Sequence, residues 1–162
     1  MPKHRVFISI DIPEELKNII ESHLASFLFK KEIWHITAVF CGYLDEKELN
    51  KLKETTEKIV QNTKKFELIP AKIILKNNRM IWLTFKTSPE FLKLTKEFTN
   101  FNQEAREQIP HVTLVRLKKE DYSNFEKILS VKPFLVELIS IMESHLSPNG
   151  PKYELICRNY LK

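Results

Sequence analysis

Apolar residues alternate with polar ones, or run β-branched, over Arg5–Ile10, Ile33–Cys41, Phe66–Leu75, Met80–Lys86, Ile109–Leu117, Phe134–Met142 (continued by Ser144–Leu146) and Lys152–Leu161. Each stretch reads as a strand, the third broken near Pro70. Between them the apolar period changes from two to 3.6. Leu16, Ile19, Ile20, Leu24, Phe27 and Leu28 mark a first helix that starts at Pro13 and the acids after it. Asp45 caps a second, whose inward stripe is Leu49, Leu52, Thr56, Ile59 and Val60. Ser88-Pro89-Glu90 opens a third, with Phe91, Leu94 and Phe98 inward. Lys118–Ser130 reads as a fourth, with Tyr122, Phe125, Ile128 and Leu129 inward. Gly42 punctuates the second strand, Lys76–Arg79 and Ser147–Pro151 are turns, and Asn100–Gln108 is a polar loop.

The resulting order, β α β α β β α β α β β, mixes strand-helix-strand units with hairpins. That predicts an α+β fold with antiparallel sheets and helices outside. At 162 residues the chain fits a single domain over 1–162, built as two lobes.

Two strands carry the same local pattern. Ile33-Trp34-His35-Ile36-Thr37-Ala38-Val39 and Ile109-Pro110-His111-Val112-Thr113-Leu114-Val115 each place a histidine and a threonine two residues apart in an apolar run. A strand repeats every two residues, so each pair projects from one face. Each half of the chain holds one such strand, followed by a helix and a hairpin, which reads as an internal duplication with a cleft on an approximate two-fold axis.

Two imidazoles across such a cleft suit the cleavage of a phosphodiester. One takes a proton from the attacking oxygen and the other protonates the departing one, both near an unperturbed pKa of about 6.5. The threonine hydroxyls, about 6–7 Å along each strand, can donate to the non-bridging oxygens, and no metal is required. His4, His23 and His145 read as solvent-facing or capping residues.

Composition narrows the alternatives. The only glycines are Gly42 and Gly150, so no glycine-rich phosphate loop can be written, and nucleotide triphosphate hydrolysis and dinucleotide redox chemistry are disfavoured. Cys41 and Cys157 form no C-x-x-C pattern and read as buried, reduced thiols. No apolar run is long enough to span a membrane, and the apolar start Val6–Ile10 ends at Asp11, so a cytoplasmic protein is expected. The formal charge of +5 fits an anionic partner.

Four blocks also resemble those of the 2H phosphoesterases, specifically the RNA 2′,3′-cyclic phosphodiesterase (2′-5′ RNA ligase) branch. They are Arg5–Pro13, His35–Gly42, Pro110–Arg116 and Leu146–Glu154, in the family's order and spread over nearly the whole chain. The resemblance implies a bilobal α+β fold, with two pseudo-symmetric antiparallel lobes, outer helices and a central cleft. It implies hydrolysis of RNA 2′,3′-cyclic phosphate ends to 2′-phosphate ends, with no cofactor and no metal. Under it His35 is the proton donor and His111 the proton acceptor, Thr37, Thr113 and Arg116 hold the phosphate, and Phe40 stacks on the terminal base. Arg116 and Phe40 each lie five residues after a histidine, so a regular strand points them to the opposite face. A bulge or a strand end is needed to re-aim them. The chain departs from the family in a short link at Lys30 and Lys31 and in the polar segment around Arg106.

The expected partner is RNA bearing a cyclic phosphate or nucleotide end, met by a monomer. Two other readings stand beside hydrolysis. One is 2′-5′ ligation, the same chemistry run backwards with a 5′-hydroxyl. The other is a non-catalytic module that binds RNA 3′ ends through basic residues such as Lys30, Lys31, Lys72, Lys76 and Arg79.

Overall fold

In the computed structural model, residues 2–24, 33–77, 79–104, 109–117 and 126–162 are described. The elements run β1 (His4–Asp11), α1 (Glu14–Leu24), β2 (His35–Leu44), α2 (Glu46–Gln61), β3 (Phe66–Leu68), β4 (Pro70–Lys76), β5 (Met80–Phe85), α3 (Pro89–Lys96), a 3₁₀ turn (Thr99–Phe101), β6 (His111–Arg116), β7 (Glu126–Ile128), β8 (Phe134–Val136), β9 (Leu138–His145) and β10 (Lys152–Tyr160). The expectations at Phe27, Leu28, Lys30, Lys31, Asn78, Arg106, Tyr122 and Phe125 lie outside the described residues.

Eight strands form one antiparallel sheet in the order β10-β9-β1-β2-β6-β5-β4-β7, and β3 pairs with β8 separately. The large sheet is two four-stranded halves joined edge to edge. Hairpin β9-β10 flanks β1 and β2 on one side, and hairpin β4-β5 flanks β6 on the other. The joint between β2 and β6 is one residue pair wide, Ile36 with Val112. This is the expected mixed, antiparallel, pseudo-symmetric architecture.

One side of the sheet is apolar because the helices cover it. Val6, Ile8, Ile10, Ile36, Ala38 and Val39 are buried there with Leu16, Ile20 and Leu24 of α1, the whole predicted stripe of α2, and Phe91 and Leu94 of α3. Burying one such aliphatic or aromatic side chain stabilises the fold by about 1.5–3 kcal/mol. Helix α2 starts where the sequence places it: the Glu48 N–H donates to the Asp45 carboxylate at 2.8 Å, and the Glu48 side chain accepts from the Asp45 N–H. Cys41 lies in this core, where burial pushes its thiol up to about 12, and Cys157 is half-buried. No helix among the described residues is long and apolar enough to cross a membrane.

Two expectations need correction. The fourth helix over Lys118–Ser130 is contradicted at its end: Glu126–Ile128 is strand β7, paired with β4 in the register Ile128 with Lys72. Residues 118–125 lie outside the described residues. Ile128 is 81% exposed while Leu129 is buried, so the helical stripe is not formed there. The open edge of β4 offers a full row of backbone partners, and that outweighs a weak local period. Gly42, read as a stop, lies inside β2, which runs on to Leu44. Its φ of +74° serves a bulge at Cys41, where Val6 pairs with Gly42 and Phe7 with Phe40. A Cβ at Gly42 would meet Gln103 Cγ at 3.0 Å, a second reason for glycine.

His4 is less incidental than its sequence suggests. Its ring bridges Glu143 of β9 at 2.8 Å and Glu46 in the first turn of α2 at 2.7 Å. Glu143 first, then Glu46, raises its pKa above the ordinary 6.5. The ties therefore contribute stability that is fully present below the unfolded value and is lost as pH rises through the higher folded one. The melting-temperature difference between the wild type and His4→Gln is expected to shrink as pH rises from about 6 to 9. A difference constant across that range would mean that the charge on the ring contributes nothing.

Candidate active site

The pair Ile36–Val112 fixes the rest of the joint. In an antiparallel pair that register sets His35 across from Thr113 and Thr37 across from His111. The two histidines therefore occupy a diagonal, at a spacing of roughly 7–8 Å between backbones, and the two threonines occupy the other. All four side chains are half-buried, while Ile36, Ala38, Val112 and Leu114 between them are buried on the helix side.

Both imidazoles are held the same way. His35 Nδ1 donates to the Ile33 carbonyl at 3.2 Å, and His111 Nδ1 donates to the Ile109 carbonyl at 2.9 Å. A carbonyl oxygen only accepts, so Nδ1 carries the hydrogen and Nε2 is the basic nitrogen of each neutral ring. In His35 that nitrogen lies 3.1 Å from Thr37 Oγ1, which donates to it while the ring is neutral.

The parity problem of Arg116 and Phe40 is resolved by bulges. On β6, Trp82 pairs with Thr113 and Ile81 with Val115, leaving Leu114 as an extra residue. On β2, Ser9 pairs with Thr37 and Ile8 with Val39, leaving Ala38 extra. These residues stand at the same position in the two motifs, three after each histidine. Each extra residue moves the later part of its strand by one position, so Arg116 and Phe40 return to the histidine face. The Leu114 carbonyl accepts from the Trp34 indole N–H at 3.1 Å, tying this bulge to the residue before His35.

His35, Thr37, His111, Thr113 and Arg116 all line one pocket, with Ile33 and Tyr153. Its volume is about 100 Å³, space for about three waters or one phosphoryl group. Phe40 does not line it. Its ring lies under the Arg5 guanidinium, 4.8 Å from the centroid, and Arg5 also donates to Ser144 Oγ at 3.0 Å.

Sequence reasoning missed the aromatic walls. Phe7 and Tyr153 pack 5.2 Å from the His35 ring, Tyr153 edge-on, and Trp82 stacks on His111 at 3.8 Å with 15° between planes. Tyr153 lies in a family-like block but had no role there, and Trp82 becomes visible only once β5 is known to pair with β6. Burial lowers the pKa of His35 below its ordinary value. The Ile33 carbonyl and the Asp11 carboxylate oppose this, and His111 adds to it.

Other candidates lie apart. Lys72 is paired with Glu126 at 3.0 Å, and the Lys76 ammonium lies 5.2 Å from the Trp82 ring centroid. Neither these nor Arg79 lines the pocket. Among the described residues, the group able to hold a cation is Glu143, His145 and Glu154, whose ligand atoms lie within 4.8 Å of one another on β9 and β10, outside the pocket. A larger groove of about 1040 Å³ runs between α2, α3 and β3. Its titratable lining is lysine and glutamate with no histidine.

The chain is 30% identical to the RNA 2′,3′-cyclic phosphodiesterase of Methanocaldococcus jannaschii, over 94% of this chain and 98% of that protein. It is 27% identical to the RNA 2′,3′-cyclic phosphodiesterase of Thermotoga maritima, over 94% and 92%. No family model matches. Among solved structures, TT0787 of Thermus thermophilus superposes with a TM-score of 0.86 at 19% identity, covering 97% of each chain. E. coli LigT complexed with phosphate gives 0.83 at 19% identity, over 100% of this chain and 99% of that one. These two likenesses are of fold.

Proposed function

Because the chain belongs to the RNA 2′,3′-cyclic phosphodiesterase family of 2H phosphoesterases, we propose that it hydrolyses RNA 2′,3′-cyclic phosphate ends to 2′-phosphate ends in the pocket between β2 and β6. Water attacks phosphorus while His111 Nε2 takes its proton. The P–O3′ bond breaks, and His35 Nε2–H protonates the departing 3′ oxygen. Thr37, Thr113 and Arg116 donate to the non-bridging oxygens, where charge builds in the transition state. The chain works as one two-lobed unit in the cytoplasm, without a metal. The observation that carries the reading is the matched tethering of two Nδ1 atoms, which makes Nε2 the basic nitrogen of both rings beside one small pocket that also holds Arg116. At Phe40 the terminal base shares the ring with the Arg5 guanidinium or stacks on that guanidinium instead.

The test is an oligoribonucleotide ending in a 2′,3′-cyclic phosphate, incubated in excess chelator. A 2′-phosphate product is expected. A 3′-phosphate would reverse the acid and base assignments, and a requirement for added metal would end the metal-free mechanism. The pH profile should be bell-shaped. Burial holds the His35 pKa low in the free protein, and a bound phosphate raises it. The alkaline limb of kcat is therefore expected at higher pH than that of kcat/KM, and coincident limbs would show that phosphate does not bear on that ring.

A further inference from the structure

Trp82 pairs across the sheet with Thr113, and its indole lies parallel to the His111 imidazole at 3.8 Å. Its Nε1–H is buried and, among the described residues, has no acceptor. A buried tryptophan ordinarily finds a partner for that hydrogen, and leaving it unpaired weakens the fold. Phenylalanine or leucine at this strand position carries no such penalty, so folding alone does not account for an indole here. What an indole adds is the best π face among the side chains for a cation. The ring beneath it must become a cation when it accepts a proton. The Nδ1 bond to Ile109 fixes one edge of the imidazole and leaves its plane free to rotate, and the stack removes that freedom.

We infer that Trp82 is the positioning residue of His111, holding the plane of the imidazole and stabilising the imidazolium as it forms. The inference rests on His111 being the proton acceptor of the proposed reaction. Among the described residues, the charged and titratable groups around that ring include His35, Arg116 and Tyr153 in the pocket, with Lys76 on the indole.

The experiment compares Trp82→Leu and Trp82→Phe with the wild type in two readouts. These are steady-state kinetics on a cyclic-phosphate end, and NMR titration of the His111 imidazole in the free protein. The leucine variant is expected to lose about three- to thirty-fold in kcat with KM within about twofold. Its His111 midpoint is expected to move to lower pH by up to about 1. The phenylalanine variant keeps the stack and most of both values. A folded leucine variant whose midpoint matches the wild type, or a phenylalanine variant as impaired as leucine in both readouts, would overturn the inference. A wild type inactive on every cyclic phosphate would remove the reading of the reaction instead, and the titration arm would still decide whether the indole stabilises the cation.

Discussion

His111→Ala and His35→Ala are each expected to lower kcat on a 2′,3′-cyclic phosphate end by about 10²–10⁴-fold. Each ring lies on a half-exposed strand position, outside the apolar core, so the melting temperature should move by only a few degrees. In the proposed mechanism the two groups act on opposite sides of one phosphorus and work as a unit. The double variant is therefore expected to fall little below the worse single one, rather than to the product of the two losses. Single-turnover rates on a labelled oligonucleotide measure all three. Undiminished turnover in either single variant would remove that histidine from its role, and a strictly multiplicative double variant would argue against concerted action.

Arg116→Ala is expected to cost about 10²-fold in kcat/KM, the scale on which loss of one preorganised donor to developing charge is felt. Among the described residues, Arg116 is the guanidinium in the pocket lining. Its Nη1 donates to Met80 Sδ at 3.7 Å, a weak bond that a phosphate oxygen would replace with a stronger, charge-assisted one. Arg116→Lys should recover part of the loss through charge alone, without the bidentate geometry. Wild-type kinetics in the alanine variant would make Arg116 a solvated charge at a strand end.

Much of this is legible in local pattern. The face shared by each histidine and its threonine comes from strand period alone, and the Asp45 cap with its stripe from Leu49 to Val60 comes from helix period. The hidden part depends on pairing. Whether Arg116 reaches the pocket turns on a bulge at Leu114, and nothing in the order of apolar residues announces an extra residue in a ladder. Trp82 looks like one more apolar strand residue until β5 lies beside β6. Strand β7 escapes a local reading because its three residues owe their conformation to the edge of β4 and not to their own sequence. His4 looks idle in the sequence because its partners, Glu46 and Glu143, are far along the chain.

Among the described residues, the two halves of the sheet pair directly at Ile36 and Val112 and are tied by the indole hydrogen bond from Trp34 to Leu114, above one shared apolar core. One imidazole stands on each side of that seam, like the tips of a pair of tongs. A few degrees of opening at the seam changes the gap at the tips. Under the proposed mechanism, loosening the pivot, for instance by Trp34→Phe, should slow turnover while both imidazoles and both threonine hydroxyls are retained.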